Sequence, residues 1–412
     1  MQDTPDNPPR PSSGSMTQYL IVTLSYWGFT LSDGALRILV LFHFFSLGYS
    51  PFTLALLFLL YEAAGIVANL GGGWMATRFG ITRMLVLGMV VQITGLLLLS
   101  FLDPSIGALA SVLWVLAAQG IAGLAKDITK TASKSAIKVV SVEGDDRLFR
   151  WVAWFTGSKN AMKGLGFFLG GVMLTGIGFQ HGLWLMAGLL AVIAVLISLS
   201  LPGHLGVGTA SRSVRELFSK TPAVNMLALA RVFLFGARDI WFVVGLPVFL
   251  YANGWGFWQV GGFLALWTIG YGIIQGLAPE LVAASRRLIG HPALAAMVWA
   301  GGLMLVPVAI VLAMPMGPAV TVLVTGLMVF GFAFAVNSSL HSYLIVAFAG
   351  SKKAAEDIGF YYAANAAGRL VGTFLSGLLY QFGGIEACLI GSALFLLITT
   401  IAVSYTHLTL PT

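Results

Sequence analysis

Lysines at positions 126, 130, 134 and 138 recur every fourth residue in a stretch otherwise rich in small and apolar residues. On an α-helix that interval lines ammonium groups along one face, drifting by about 40° per step. Lys159 and Lys163 repeat the interval, and Arg231 and Arg238, seven apart, share a face of another predicted helix. With Arg37 and Arg369 they make eight cations inside apolar sequence, once Lys134 and Lys138 are assigned to a helix end as headgroup anchors. Four acids stand among them, Asp33, Glu62, Asp127 and Asp239, together with the amides Asn160 and Asn365. Complete local pairing therefore leaves positive charge over. Guanidinium groups grip carboxylate or phosphate oxygens bidentately, and ammonium groups act as point charges toward the same partners. The chemistry of such a set is the holding of a small polyanion.

Several of these residues also have plainer readings. Asp33 and Arg37, four apart, can neutralise each other along one helix. Arg238 and Asp239 point in different directions on a helix, so each needs its own partner. Glu62 reads as the fixed partner of a lysine, with proton carriage as the alternative. Tyr26, Trp27, Tyr61, Trp241 and Trp267 read as packing or interfacial aromatics, and His341 beside Asn337 is isolated. Lys159, Lys163 and Arg369 fall mid-helix at corresponding places in the two halves of the chain and are expected to form the centre of the site, with Arg37, Lys126, Lys130, Arg231 and Arg238 adding to the field. Asp33, Glu62, Asp127, Asp239, Asn160 and Asn365 are expected as polar support or coupling groups.

The elements that must position these groups follow from composition. Of 412 residues 58% are hydrophobic and only 9% are charged, against roughly 25% charged in soluble domains. Too few polar groups remain to cover a water-facing surface, so lipid is the solvent for most of the chain. A span needs roughly 20 apolar residues, and on that rule helices are predicted near 18–45, 52–76, 83–102, 107–134, 150–177, 182–201, 222–250, 257–281, 293–314, 318–346, 358–381 and 384–403. The fold class is an all-α membrane protein of about twelve helices. A charge inside such a helix costs about 2.5–3.5 kcal/mol on insertion scales and faces a partner or a wet cavity.

Basic residues alternate along the connections. Arg78 and Arg83, Arg147 and Arg150, Arg212, Arg215 and Lys220, Arg286 and Arg287, and Lys352 and Lys353 follow the even-numbered spans, while the intervening turns carry neither Lys nor Arg. Both termini are therefore expected in the cytoplasm, and the basic excess of +7 reads as loop charge rather than a nucleic-acid surface. The expected organisation is a disordered cytoplasmic tail over 1–18, a six-helix bundle over 19–201, a linker over 202–221 and a second bundle over 222–403. The closing 404–412, SYTHLTLPT, resembles a translated sequencing adaptor and is set aside from the fold.

The halves echo each other. GALR at 34–37 pairs with GARD at 236–239, GIVANL at 65–70 with GIIQGL at 272–277, and NAMKGLGFFLGG at 160–171 with NAAGRLVGTFLSG at 365–377. Two six-helix halves with short loops and a central cytoplasmic linker resemble the major facilitator architecture. GWMATRFGITR at 73–83 resembles that superfamily's signature after the second helix, with Thr77 where an aspartate is usual.

The segments YWGFTLSDGALRILVLFHF, GIAGLAKDITKTASKSAIK, TGSKNAMKGLGFFLGG, RVFLFGARDIWFVVGLPV and WQVGGFLALWTIGYGIIQG are similar to the ArsJ family of organoarsenical efflux permeases, over nearly the whole chain. The resemblance implies a bacterial inner-membrane protein that exports 1-arseno-3-phosphoglycerate and so confers arsenate resistance. It implies a functional partner, a glyceraldehyde-3-phosphate dehydrogenase that makes this ester from arsenate. The ester falls apart outside into arsenate and 3-phosphoglycerate. It carries a phosphate at one end and an arsenate at the other, which agrees with the reading of the cations.

The alternatives are an organophosphate or carboxylate exchanger of the same architecture, and a membrane enzyme. The second would need a nucleophile with a base, or metal ligands, and no convergent His/Asp/Ser or His/Cys set is present in the sequence. Neither metal nor cofactor is expected, and the single Cys388 forms no intramolecular disulfide.

Overall fold

Apolar runs of this length cross a bilayer as helices because only then are all backbone N–H and C=O groups satisfied within the segment. The structure, a computed structural model, describes residues 13–140, 146–203, 221–290, 292–348 and 354–408, and among these every regular element is helical. Most of the expected tail and linker, and the side chains of Lys134, Lys138 and Thr77, lie outside the described residues.

The elements are α1 (Ser13–Ser46), α2 (Pro51–Leu57), α3 (Leu59–Phe79), α4 (Ile81–Ser100), α5 (Ala108–Val140), α6 (Asp146–Gly176) and α7 (Gly178–Ser200) in the first half. The second half holds α8 (Pro222–Phe242), α9 (Gly245–Ala252), α10 (Phe257–Gly276), α11 (Ala278–Ile289), α12 (Pro292–Ala313), α13 (Ala319–Phe348) and α14 (Ala354–Leu408). Ten of the described segments are long and apolar enough to cross a membrane. The predicted twelve are recovered once two features are read correctly. α6 spans the same length but is too charged to register as apolar, and α14 is two helices joined at Gly383 and Gly384, the latter at φ +62°.

Two spans break within their length. The second divides at Phe58 between α2 and α3, whereas the eighth, α10, runs unbroken to its cap at Leu277 before α11 begins. In the seventh, α8 gives way to α9 at Val243 and Val244, where the Ser376 Oγ accepts from the N–H groups of Val244 and Gly245, each at 3.1 Å. Helix α1 begins at Ser13, and α14 runs through Ser404 to Leu408. There the Ser404 hydroxyl donates to the Ile401 carbonyl, three residues back, at 2.7 Å.

Small residues bring the cavity-lining helices together. A Cβ at Gly166 would collide with the backbone of Leu31, and one at Gly34 with the backbone of Lys163, so α1 and α6 touch main chain to main chain. The second half uses the same device, Gly372 against Gly236 and Gly368 against Val232. Because the obstacle is backbone, Gly166→Leu is expected to lower stability by about 3 kcal/mol, the upper part of the usual overpacking range. Thermal unfolding in detergent measures it.

The halves also meet directly. α6 packs on α10 through Gly171 against Phe257, Gly261 against Phe167 and Gly272 against Gly157. At the end carrying the turns near Gly48, Gly254 and Gly384, rings close the gap between halves. Phe42 stacks on Phe257 at 4.8 Å, Tyr251 stacks on the same ring at 4.8 Å, and Phe45 meets Tyr251 edge-on at 5.5 Å. Gln381 Oε1 accepts from the Phe52 N–H at 3.1 Å on the same side.

Candidate functional site

Between the halves lies a cavity of about 210 Å³. All eight cations singled out above line it: Arg37, Lys126, Lys130, Lys159, Lys163, Arg231, Arg238 and Arg369. Asp33, Glu62, Asp127, Asn160 and Asn365 line it as well. Asp239 does not; it is fully buried behind Arg238 and Arg369. By formal charge, these eight cations set against the three lining carboxylates and Asp239 behind them leave an excess of four.

The pairing differs from what sequence spacing suggested. Asp33 does not neutralise Arg37. It receives Lys163 Nζ at 2.9 Å from α6 and the hydroxyl of Tyr61 from α3. Arg37 instead turns to Glu62 at 2.5 Å. Neighbouring helices approach closely enough through their glycines that contacts between helices displace the local i,i+4 pair. Glu62 also binds Arg369 at 2.6 Å, with Lys126 more distant at 3.9 Å, so its chief partners are arginines rather than a lysine. Arg238 and Asp239 were expected to need separate partners, yet Arg238 Nε donates to Asp239 Oδ1 at 2.6 Å. The arginine side chain is long enough to fold back over the adjacent residue. Asp239 also receives Arg369 Nε at 3.2 Å. Asp127 binds Lys130 at 2.8 Å and Lys126 at 3.5 Å.

Arg231 is held in another way. It is 3% exposed, and its Nη1 donates to the carbonyl of Ser338 at 3.2 Å and to that residue's hydroxyl at 3.1 Å. Its guanidinium lies over Phe235 at 4.0 Å and Tyr361 at 4.8 Å, and its Nε has no hydrogen-bond partner. Aromatic faces stabilise a cation without cancelling its charge. Six of the cations, Arg37, Lys126, Lys130, Lys163, Arg238 and Arg369, thus share carboxylates, while Arg231 is supported by neutral groups.

Uncharged polar groups link the two sides. Asn160 Nδ2 donates to Gln275 Oε1 at 2.7 Å, Gln275 Nε2 donates to Tyr271 Oη at 2.6 Å, and Tyr271 Oη reaches Ser338 Oγ at 3.4 Å. The chain of contacts runs from α6 to the residue that holds Arg231. Asn365 faces the cavity with its buried Oδ1 lacking a hydrogen-bond partner, as does Thr268 with its hydroxyl. Tyr61 lies under Lys126, ring to Nζ 3.9 Å, besides donating to Asp33, and Tyr26 and Trp267 line the cavity. These three read from sequence as packing aromatics. Gln275 and Tyr271 are not among the sequence candidates, although a lone amide in the run GIIQG is the same signal as a lone charge at that depth. His341 is buried away from the cavity lining. Among the described residues no His, Cys, Asp or Glu cluster could hold a metal ion.

The family model described as Major Facilitator Superfamily matches residues 19–317. Among solved structures, the chain is similar to a POT family transporter in complex with 5-aminolevulinic acid, with a TM-score of 0.71 and 16% identity over 94% of this chain and 96% of that one. A POT family transporter in complex with a thioalcohol conjugated peptide gives 0.70 at 16% identity, over the same shares. At this identity the likeness establishes the fold alone. No curated protein gives a significant match.

Proposed function

The chain belongs to the major facilitator superfamily, and from that premise we propose that it exports a small organic polyanion by alternating access, the cargo being 1-arseno-3-phosphoglycerate. The observation that carries the anion part is a formal excess of four positive charges around the cavity between the halves: eight lining cations against three lining carboxylates and Asp239 behind them. Uncompensated charge inside a low-dielectric protein is costly. An anion of several charges removes that cost on entering, whereas a hydrophobic cation would add to it. The arsenic part rests on the resemblance of the charged segments to the ArsJ family. The ester's two tetrahedral oxyanion ends suit a cavity with cations on both walls, Lys126, Lys130 and Lys163 on one and Arg231 and Arg238 on the other.

The ring seal of Phe42, Tyr251 and Phe257 supports a carrier closed at one end. With the basic loops taken as cytoplasmic, that end faces outward, both termini lie inside, and the membrane is the bacterial inner membrane. The cargo enters from the cytoplasm and is released when the seal opens. A glyceraldehyde-3-phosphate dehydrogenase would supply it.

Everted vesicles carrying the permease test this reading, with dehydrogenase, glyceraldehyde 3-phosphate, NAD and arsenate outside. Arsenic is expected to accumulate inside, and to stop accumulating when the dehydrogenase is omitted. Accumulation independent of the dehydrogenase would mean that arsenate itself is carried. Uptake of 3-phosphoglycerate with no uptake of arsenic would leave the organophosphate exchanger.

A further inference from the structure

Glu62 is 1% exposed and stands where three helices converge. Arg37 reaches it from α1 at 2.5 Å, Lys126 from α5 at 3.9 Å, and Arg369 from α14, in the opposite half, at 2.6 Å. The other ion pairs described above each stay within one half. The Glu62–Arg369 bridge crosses between them. Arg369 keeps a second carboxylate, Asp239, on its own side at 3.2 Å. A carboxylate in this position supplies what an oxyanion of the cargo would supply: a counter-charge for Arg37 and Arg369, and a tie between the halves.

We infer that Glu62 is the internal counter-anion of the empty carrier, holding the place of a cargo oxyanion between the halves until cargo displaces it from Arg369. This rests on the polyanion reading of the cavity. Its consequence is a mode of transport. Alternating access requires the empty carrier to close its halves around the cavity and reset. With Glu62 between them, Arg37 and Arg369 approach across a shared carboxylate rather than as bare like charges. The empty carrier can therefore return, and net one-way export is possible. Without Glu62, only an anion-loaded carrier would cross, and the protein would be confined to exchanging one anion for another. The same competition sets affinity, because cargo must break the Glu62–Arg369 contact to bind.

The full-length protein and Glu62→Gln separate these behaviours. Glutamine keeps the shape and an oxygen acceptor but removes the charge. Calorimetric binding of 3-phosphoglycerate is expected to tighten about ten-fold in E62Q, since a competing charge at a desolvated pair is gone. In proteoliposomes loaded with labelled 3-phosphoglycerate, efflux into anion-free buffer is expected to fall about ten-fold or more, while exchange against external 3-phosphoglycerate persists, the pattern of lost return rather than lost binding. Weaker or unchanged binding, or net efflux and exchange falling together, would overturn the assignment and leave Glu62 a structural support.

Should the wild-type protein fail to bind 3-phosphoglycerate, the phosphoester reading fails, and the role of Glu62 is decided without any anion. Spin labels on Arg83→Cys and Leu288→Cys, both exposed and on opposite halves, report the distance between halves, and the native Cys388 is buried. E62Q is expected to show a second distance population in the empty protein. Distributions identical to wild type would overturn the inference.

Discussion

Replacing Arg369 with alanine is expected to cut cargo accumulation in everted vesicles by about 100-fold, because truncating one member of a buried, hydrogen-bonded charge set costs several kcal/mol. Arg369 joins Glu62 of the first half to Asp239 of the second through Nη2 at 2.6 Å and Nε at 3.2 Å. Its loss removes a cation from the cavity and withdraws a partner from two carboxylates at once. Arg37 still serves Glu62 and Arg238 still serves Asp239, so the protein should fold with reduced thermal stability. Arg369→Lys makes the distinction. It keeps the charge, but one ammonium cannot span two carboxylates as a planar fork does, and transport should recover only in part, to about a tenth of wild type. Full activity in R369K would mean that charge alone matters there. Full activity in R369A would remove Arg369 from the site.

Arg231→Met is the second large effect, and it differs in kind. No carboxylate among the ion pairs described leans on Arg231; Ser338, Phe235 and Tyr361 hold it. Methionine fills much of the volume among the rings and strands no buried acid. Stability should therefore change by only about 1–2 kcal/mol, the range for two lost hydrogen bonds whose acceptors, the Ser338 carbonyl and hydroxyl, keep other donors in Ser342 and Tyr271. Binding of 3-phosphoglycerate should nonetheless weaken by about 100-fold, since a guanidinium with charge to spare is the best bidentate partner an oxyanion could find in the cavity. Calorimetry paired with thermal unfolding checks both halves of this expectation. Loss of fold without prior loss of binding would make Arg231 a packing residue.

The contrast between these two arginines marks what the sequence could and could not tell. Twelve spans were legible because twenty apolar residues have few other uses. The eight cations were legible because charges at that depth need water or a partner, and all eight line the cavity. The helix breaks at Phe58 and Val243 were not legible, since the groups that satisfy the freed N–H groups of Val244 and Gly245 come from Ser376, more than 130 residues away. Pairing was equally hidden. Spacing fixes which face of a helix a side chain leaves from, but the reach of arginine and lysine lets the tip choose among several helices. So Asp33 took Lys163 rather than Arg37, and Arg238 folded onto its neighbour Asp239. Lys163 and Arg369, expected at the centre of the cargo site, are tied to carboxylates, and Arg231, given a supporting role, is held by neutral groups. Gln275, which joins the halves through Asn160, and Tyr271 beside it carry no charge and so lack the signal that a charge gives at that depth.

The central claim is that a surplus of positive charge between the two halves exists to hold an anion of several charges. Calorimetry on the purified wild-type protein tests it most directly, with glycerol, glycerate, glycerol 3-phosphate and 3-phosphoglycerate as a series of rising negative charge on one small skeleton. Affinity should climb at each step, be strongest for 3-phosphoglycerate, and lose that slope in R231M. Equal binding across the series, or a preference for the neutral member, would contradict the claim.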